Sequence, residues 1–146
     1  NTLASLLFAV SGEPADTVVL NGDVMFEATL IRRLLGSDYS AAAVRVLDQP
    51  TPEEVKVECE GERIVSIGKG VDSDLEAVGV YLFRKPLVRA LRRAASLLKD
   101  PFTAYYEDAL NLCLGSHYMG IVPVKNAVEM DTPEDLEVAR QIFRDA

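Results

Sequence analysis

Tryptophan is absent, histidine occurs once and cysteine twice in a chain of 146 residues. The lone histidine, His117 in LGSHYMG, has no G-x-S-x-G elbow beside it, so a Ser-His hydrolase is not expected and His117 fits a structural or surface role. Cys59 and Cys113 lie far apart without the close Cys/His spacing of a zinc site, and two reduced, buried thiols suit a cytoplasmic protein. Long apolar runs are also missing. The longest, LASLLFAV, is too short to cross a bilayer, and no basic-then-apolar signal peptide precedes it. The expectation is a soluble chain. Positive charge is scarce: 15 basic against 23 acidic residues give a formal charge of −8, which repels phosphate backbones at long range. The basic residues gather in RKPLVRALRR, residues 84–93, with the spacing of the wet side of an amphipathic helix. Nucleic acid is therefore not an expected partner. No internal repeat, low-complexity tract or linker divides the chain, and residues 1–146 are expected to form one domain.

What is present alternates between two periods. NTLASLLFAVSG, capped by Asn1 or Thr2 and stopped at Gly12, reads as a buried helix. TVVLN is a β-branched run of the kind that fills a strand covered on both faces, and FEATLIRRLLGS repeats apolar residues at helical spacing. AAAVRVLD, VKVECEG and GERIVSIGK read as strands, the last two joined by a turn at Glu60-Gly61-Glu62. EAVGVYLFRK is a further strand, KPLVRALRRAASLLKD and YYEDALNLCLG are helices, and YMGIVPVK is a late strand. DTPEDLEVARQIFRDA opens as a helix, with Asp131 or Thr132 as cap, Pro133 near N1, and Glu134 and Asp135 in the first turn. The pattern predicts a three-layer α/β/α domain with a mostly parallel, partly mixed sheet.

In open α/β sheets ligands gather at the carboxyl ends of strands. Asp23, in VVLNGDVMF, falls at such an end beside Gly22, whose missing Cβ lets a ligand approach, although Asn-Gly-Asp also makes an ordinary turn. Glu129 and Asp131, in NAVEMDTPEDL, follow the late strand. Helix capping explains Asp131 adequately, yet two aspartates from separate strand ends also suit one Mg²⁺, a hard cation satisfied by carboxylates, phosphate oxygens and water. Lys69, in SIGKGVDSD, stands between glycines and can bring its ammonium close to a phosphoryl group. It is not a Walker lysine, because Gly70 stands where a Ser or Thr is needed. Asp72 and Asp74 follow a glycine turn and read as surface loop. Tyr105 and Tyr106 offer aromatic faces, and Glu107 is a polar group on the same helix.

NGD near the start and EMDTPEDLEVA near the end, together with NTLASLLFA, SIGK and YYEDAL in that order, resemble the nucleoside-triphosphate transferase family. That family contains sugar-phosphate nucleotidyltransferases and cytidylyltransferases for phosphocholine, inositol phosphate and phosphonates. The resemblance implies its three-layer, nucleotide-diphospho-sugar transferase-like fold. It implies that Asp23 and Asp131 bind magnesium, that Lys69 contacts phosphate, that Glu107 and Glu129 lie near the acceptor, and that Asn1 and Ser5 border the substrate pocket; Tyr106, in YYEDAL on the substrate side, is expected to bind substrate as well. The implied reaction joins a nucleoside triphosphate, CTP favoured, to a phosphorylated alcohol or sugar and releases pyrophosphate. One departure stands out. The family's G-x-G-x-R loop and following Pro-Lys pair are missing, so an amino-terminally truncated domain, inactive alone, is expected. A glycosyltransferase using a nucleotide sugar, and a non-catalytic regulatory module of the same fold, are the competing expectations. The first normally needs an aspartate pair where NGD offers one aspartate.

Overall fold

The computed structural model describes residues 2–144. Its elements are α1 (Thr2–Ala9), β1 (Thr17–Leu20), β2 (Val24–Phe26), α2 (Thr29–Leu35), β3 (Ser40–Val46), β4 (Lys56–Glu60), β5 (Arg63–Gly68), β6 (Leu75–Phe83), α3 (Lys85–Ala95), α4 (Tyr106–Leu114), β7 (Met119–Pro123), β8 (Ala127–Glu129) and α5 (Pro133–Ile142). Six strands form one sheet in the order β1-β6-β3-β7-β5-β4, and β2 pairs with β8 in a separate ribbon. The expectation of a mostly parallel sheet is corrected. Among the described residues only β3 and β7 run parallel, whereas β1–β6, β3–β6, β4–β5, β4–β6, β5–β7 and β2–β8 are antiparallel. A parallel neighbour requires a long crossover, usually helical, and β3 to β6 follow one another with no helix between them.

Side chains alternate across the sheet with the strand period of two. From β6, Ala77, Tyr81 and Phe83 enter one apolar cluster, with Leu3 and Leu6 of α1, Leu87 and Leu91 of α3 and Leu110 of α4. Val78, Val80 and Leu82 enter the other, with Leu30 and Leu34 of α2. β6 is thus buried on both faces, which is why EAVGVYLF reads as an almost unbroken apolar run. α1 is less buried than its sequence suggests. Leu3 and Leu6 are covered, but Phe8 is 85% exposed, so only one face of this helix packs.

The basic run is spent on local structure. Arg84 pairs with Asp16 at 2.7 Å, Lys85 and Arg89 reach Glu13, and Arg92 donates to the carbonyls of Ser11 and Gly12. These contacts hold the α1–β1 loop against α3, whose apolar side carries Leu87, Val88 and Leu91 into the core. Cys113 is buried and Cys59 half-buried; both are free thiols that burial pushes up in pKa. Among the described residues no helix is long and apolar enough to cross a membrane.

Candidate active site

The β2–β8 ribbon joins the two ends of the sequence. Val24, Met25 and Phe26 pair with Glu129, Val128 and Ala127, and the Asp23 carbonyl accepts from the Met130 N–H at 2.8 Å. Asn21-Gly22-Asp23 makes the turn between β1 and β2, as the turn reading of this tripeptide expects. As a result Asp23, Glu129 and Asp131 bring their carboxylate oxygens within 4.8 Å of one another.

Capping does not consume Asp131. The N-cap of α5 is Thr132, whose hydroxyl accepts from the Asp135 N–H at 3.2 Å while the Asp135 carboxylate accepts from the Thr132 N–H at 2.8 Å. That reciprocal box satisfies the helix start with other side chains. The three gathered carboxylates repel one another. Partial burial raises the Glu129 carboxyl first, the like charges of Asp131 and Asp23 raise it further, and Lys69 opposes the shift. An all-oxygen donor set of this spacing is one that a hard divalent cation satisfies.

Beside the cluster a groove of about 920 Å³ opens between α1, β1, the turn after β5 and the start of α4. Ser5, Asp23, Lys69, Tyr106, Glu107 and Glu129 line it. Asn1, expected at its border, lies outside the described residues. Lys69 is exposed and its ammonium meets Glu53 at 3.2 Å; that bond chiefly raises its pKa, with Tyr105 and Glu129 adding to it. Such an exposed pair contributes little stability, so Lys69 is readily available to another anion. Tyr106 is buried. Its hydroxyl donates to Asn21 Oδ1 at 3.2 Å and its ring meets Tyr81 edge-on at 5.5 Å, so it is held firmly in the groove wall. Tyr105, 53% exposed, is the more open of the two tyrosines that line the groove. Glu107 is only 7% exposed, its Oε2 lacks a hydrogen-bond partner among the described residues, and burial raises its pKa. It is the polar group best placed to take a hydrogen bond from a molecule in the groove.

Sequence reading missed Asn21 and Gly79. Gly79 has φ +73°, and a Cβ there would come within 2.5 Å of Asn21 Nδ2. The Asn21 N–H donates to the Gly79 carbonyl at 2.8 Å, so the two backbones meet where β1 ends beside β6. A glycine inside VGVYLF was the available signal, since glycine in a strand often marks a close approach. His117, with Ser116 beside it at 3.0 Å, lines a different groove against α3, away from the carboxylates.

No family model and no curated protein matches this chain. Solved structures do. A CTP:phosphocholine cytidylyltransferase from Streptococcus pneumoniae is 16% identical with a TM-score of 0.78, covering 98% of this chain and 64% of that one. An inositol-1-phosphate CTP transferase from T. maritima is 21% identical with a TM-score of 0.68, covering 97% and 60%. A UDP-glucose pyrophosphorylase from Acinetobacter baumannii is 16% identical with a TM-score of 0.69, covering 96% and 54%. The chain thus has the fold of these nucleotidyltransferases along nearly its whole length, and spans somewhat over half of theirs.

Proposed function

We propose that the chain is the larger, carboxyl-terminal part of a cytoplasmic, Mg²⁺-dependent nucleotidyltransferase that joins a nucleoside triphosphate, CTP favoured, to a phosphorylated alcohol or sugar with release of pyrophosphate. The observation that carries this reading is the meeting of Asp23 and Asp131, from opposite ends of the sequence, with Glu129 beside a groove that holds one lysine. Asp23 and Asp131 would hold the cation, with Glu129 adjoining. When bound, Mg²⁺ supplies charge neutralisation for the polyphosphate. Lys69 gives the groove a positive group for a phosphoryl oxygen, and Glu107 with Ser5 offers polar contacts to the acceptor. An ionised acceptor oxygen attacks the α-phosphorus, its new P–O bond replacing the bond to pyrophosphate. No general base is needed, because that oxygen carries no proton. Tyr106 acts through Asn21 in shaping the groove.

A truncated domain, three-layered when complete, is part of the same proposal. β1 ends the sheet order, yet Val18 packs into one apolar cluster and Val19 into the other. A strand covered on both faces with an open edge suits the interior of a wider sheet. The groove runs along that edge. A preceding strand there, leading into the G-x-G-x-R loop, would supply the positive charge that Lys69 alone does not.

The test is Mg²⁺-dependent pyrophosphate release by the full-length parent, with CTP, UTP and GTP against phosphocholine, inositol phosphate and sugar 1-phosphates. Release that disappears in folded Asp23→Asn and Asp131→Asn variants supports the proposal and names the acceptor. Nucleotide-sugar turnover without pyrophosphate would move the assignment to a glycosyltransferase, and neither activity from a protein with its upstream loop would leave a regulatory module.

A further inference from the structure

The ribbon that carries the carboxylates is not a strand pair of the main sheet, so something other than β-pairing must fix its position. Ala127, Val24 and Phe26 pack on the apolar cluster beneath α2, which sets the ribbon's height above the sheet. Apolar contact is non-directional and does not stop the ribbon from sliding. Directional contacts do. At the end remote from the carboxylates, Arg33 donates to the Pro123 carbonyl and to Glu27. Nearer to them, Arg45 of β3 donates through Nη1 to the Ala127 carbonyl at 2.6 Å and through Nε to Glu76 of β6.

Glu76 is 4% exposed and faces Arg45 directly in the β3–β6 register. A buried carboxylate is costly unless paired, and a lone pair of this kind seldom adds net stability over apolar side chains of like size. Its place is informative. The guanidinium is a rigid fork whose arms act on different partners at once, here the sheet and the ribbon. Ala127 lies two residues before Glu129 on the same strand, so fixing the Ala127 carbonyl fixes the strand that carries that carboxylate.

We infer that Arg45 is a positioning residue: oriented by Glu76, it locks β8 to β3 and β6 and thereby sets the spacing of Asp23, Glu129 and Asp131. The inference rests on the cation reading of that cluster. Mn²⁺ serves as the probe, its affinity measured by electron paramagnetic resonance on the full chain, together with hydrogen exchange at the Met130 N–H that closes on Asp23. Replacing both charges in Arg45→Met/Glu76→Leu leaves no unpaired buried carboxylate, and the amides of β6 should keep their protection. The expected result is Mn²⁺ binding at least tenfold weaker and Met130 exchange at least tenfold faster. Arg45→Lys keeps a cation against Glu76 but lacks the fork, and loses at least threefold in both. Glu76→Gln, which still accepts from Nε, stays within threefold of the unaltered chain.

Mn²⁺ affinity and Met130 protection unchanged in a folded double variant would overturn the positioning role. Should the double variant lose β6 protection, the folded Arg45→Lys chain decides by the same two readings. Failure of the unaltered chain to bind Mn²⁺ would overturn the cation reading alone, and Met130 exchange would then decide for or against the lock.

Discussion

The six-stranded sheet and the β2–β8 ribbon differ in how far apolar burial and directional polar contacts hold each of them. β6, between β1 and β3 in the sheet, buries Val80, Tyr81, Leu82 and Phe83 almost completely between two apolar clusters. The ribbon is three residues long on each strand, has exposed carboxylates at its end, and adds to the packing of Val24, Phe26 and Ala127 the ties of Arg33, Arg45 and its own few hydrogen bonds. Apolar burial therefore resides chiefly in the sheet, and the gathered charge lies at the ribbon. Exposed charge is cheap to gather and apolar burial supplies the surplus that tolerates its repulsion.

If that division holds, Asp23→Asn or Asp131→Asn should give the largest effect: pyrophosphate release by the full-length parent falls on the order of 10²-fold or more, with Tm changed by only about 2 °C. Equal losses of rate and stability would mean that the carboxylates are turn and cap residues. Gly79→Ala probes the point where sheet and site touch. Its positive φ and the approach of Asn21 should make it cost about 2–4 kcal/mol by denaturant titration, more than a surface glycine would. Unchanged stability would show that Asn21 moves aside freely.

Thr132→Ala sharpens the comparison at the ribbon's edge, with an expected loss of about 1 kcal/mol from the missing cap. The bond from Thr132 holds the Asp135 carboxyl below its usual range, so its contribution is present above the unfolded value and disappears as pH falls through the folded one. In the variant this acid-side loss should shrink, as thermal scans across pH 2–6 would reveal on about that range. The smallest effect concerns Glu107, whose folded pKa is raised by burial. For a raised carboxyl the sign is reversed: the folded state holds its proton more tightly, and stability declines as pH rises through the unfolded and then the folded value. Glu107→Gln should flatten that decline; an unaltered slope would assign it elsewhere.

Most helices and main-sheet strands were legible because each satisfies a local rule. The amphipathic period of KPLVRALRRAA, the cap signals of DTPED and the Glu60-Gly61-Glu62 hairpin turn all appear where expected. β2 and β8 were not. Three residues apiece are too few for a period, and Phe26 was read as the start of a helix that begins at Thr29. Sheet direction failed for a related reason, since strand order depends on which edges meet after the helices pack.

Of the candidate site, the sequence by itself determined the chemical types: carboxylates at two strand ends, a lysine between glycines, and Asp131 or Thr132 as the cap of the last helix. Tertiary structure alone decided that Asp23, Glu129 and Asp131 share one space, that Tyr106 is held by Asn21 while Tyr105 is the more open tyrosine, and that Arg45 reaches Ala127. The physical reason is range. Propensity, capping and turn chemistry act over a few residues and are written locally, whereas a contact between residues 23 and 131 exists only once the apolar clusters have drawn the two chain ends together.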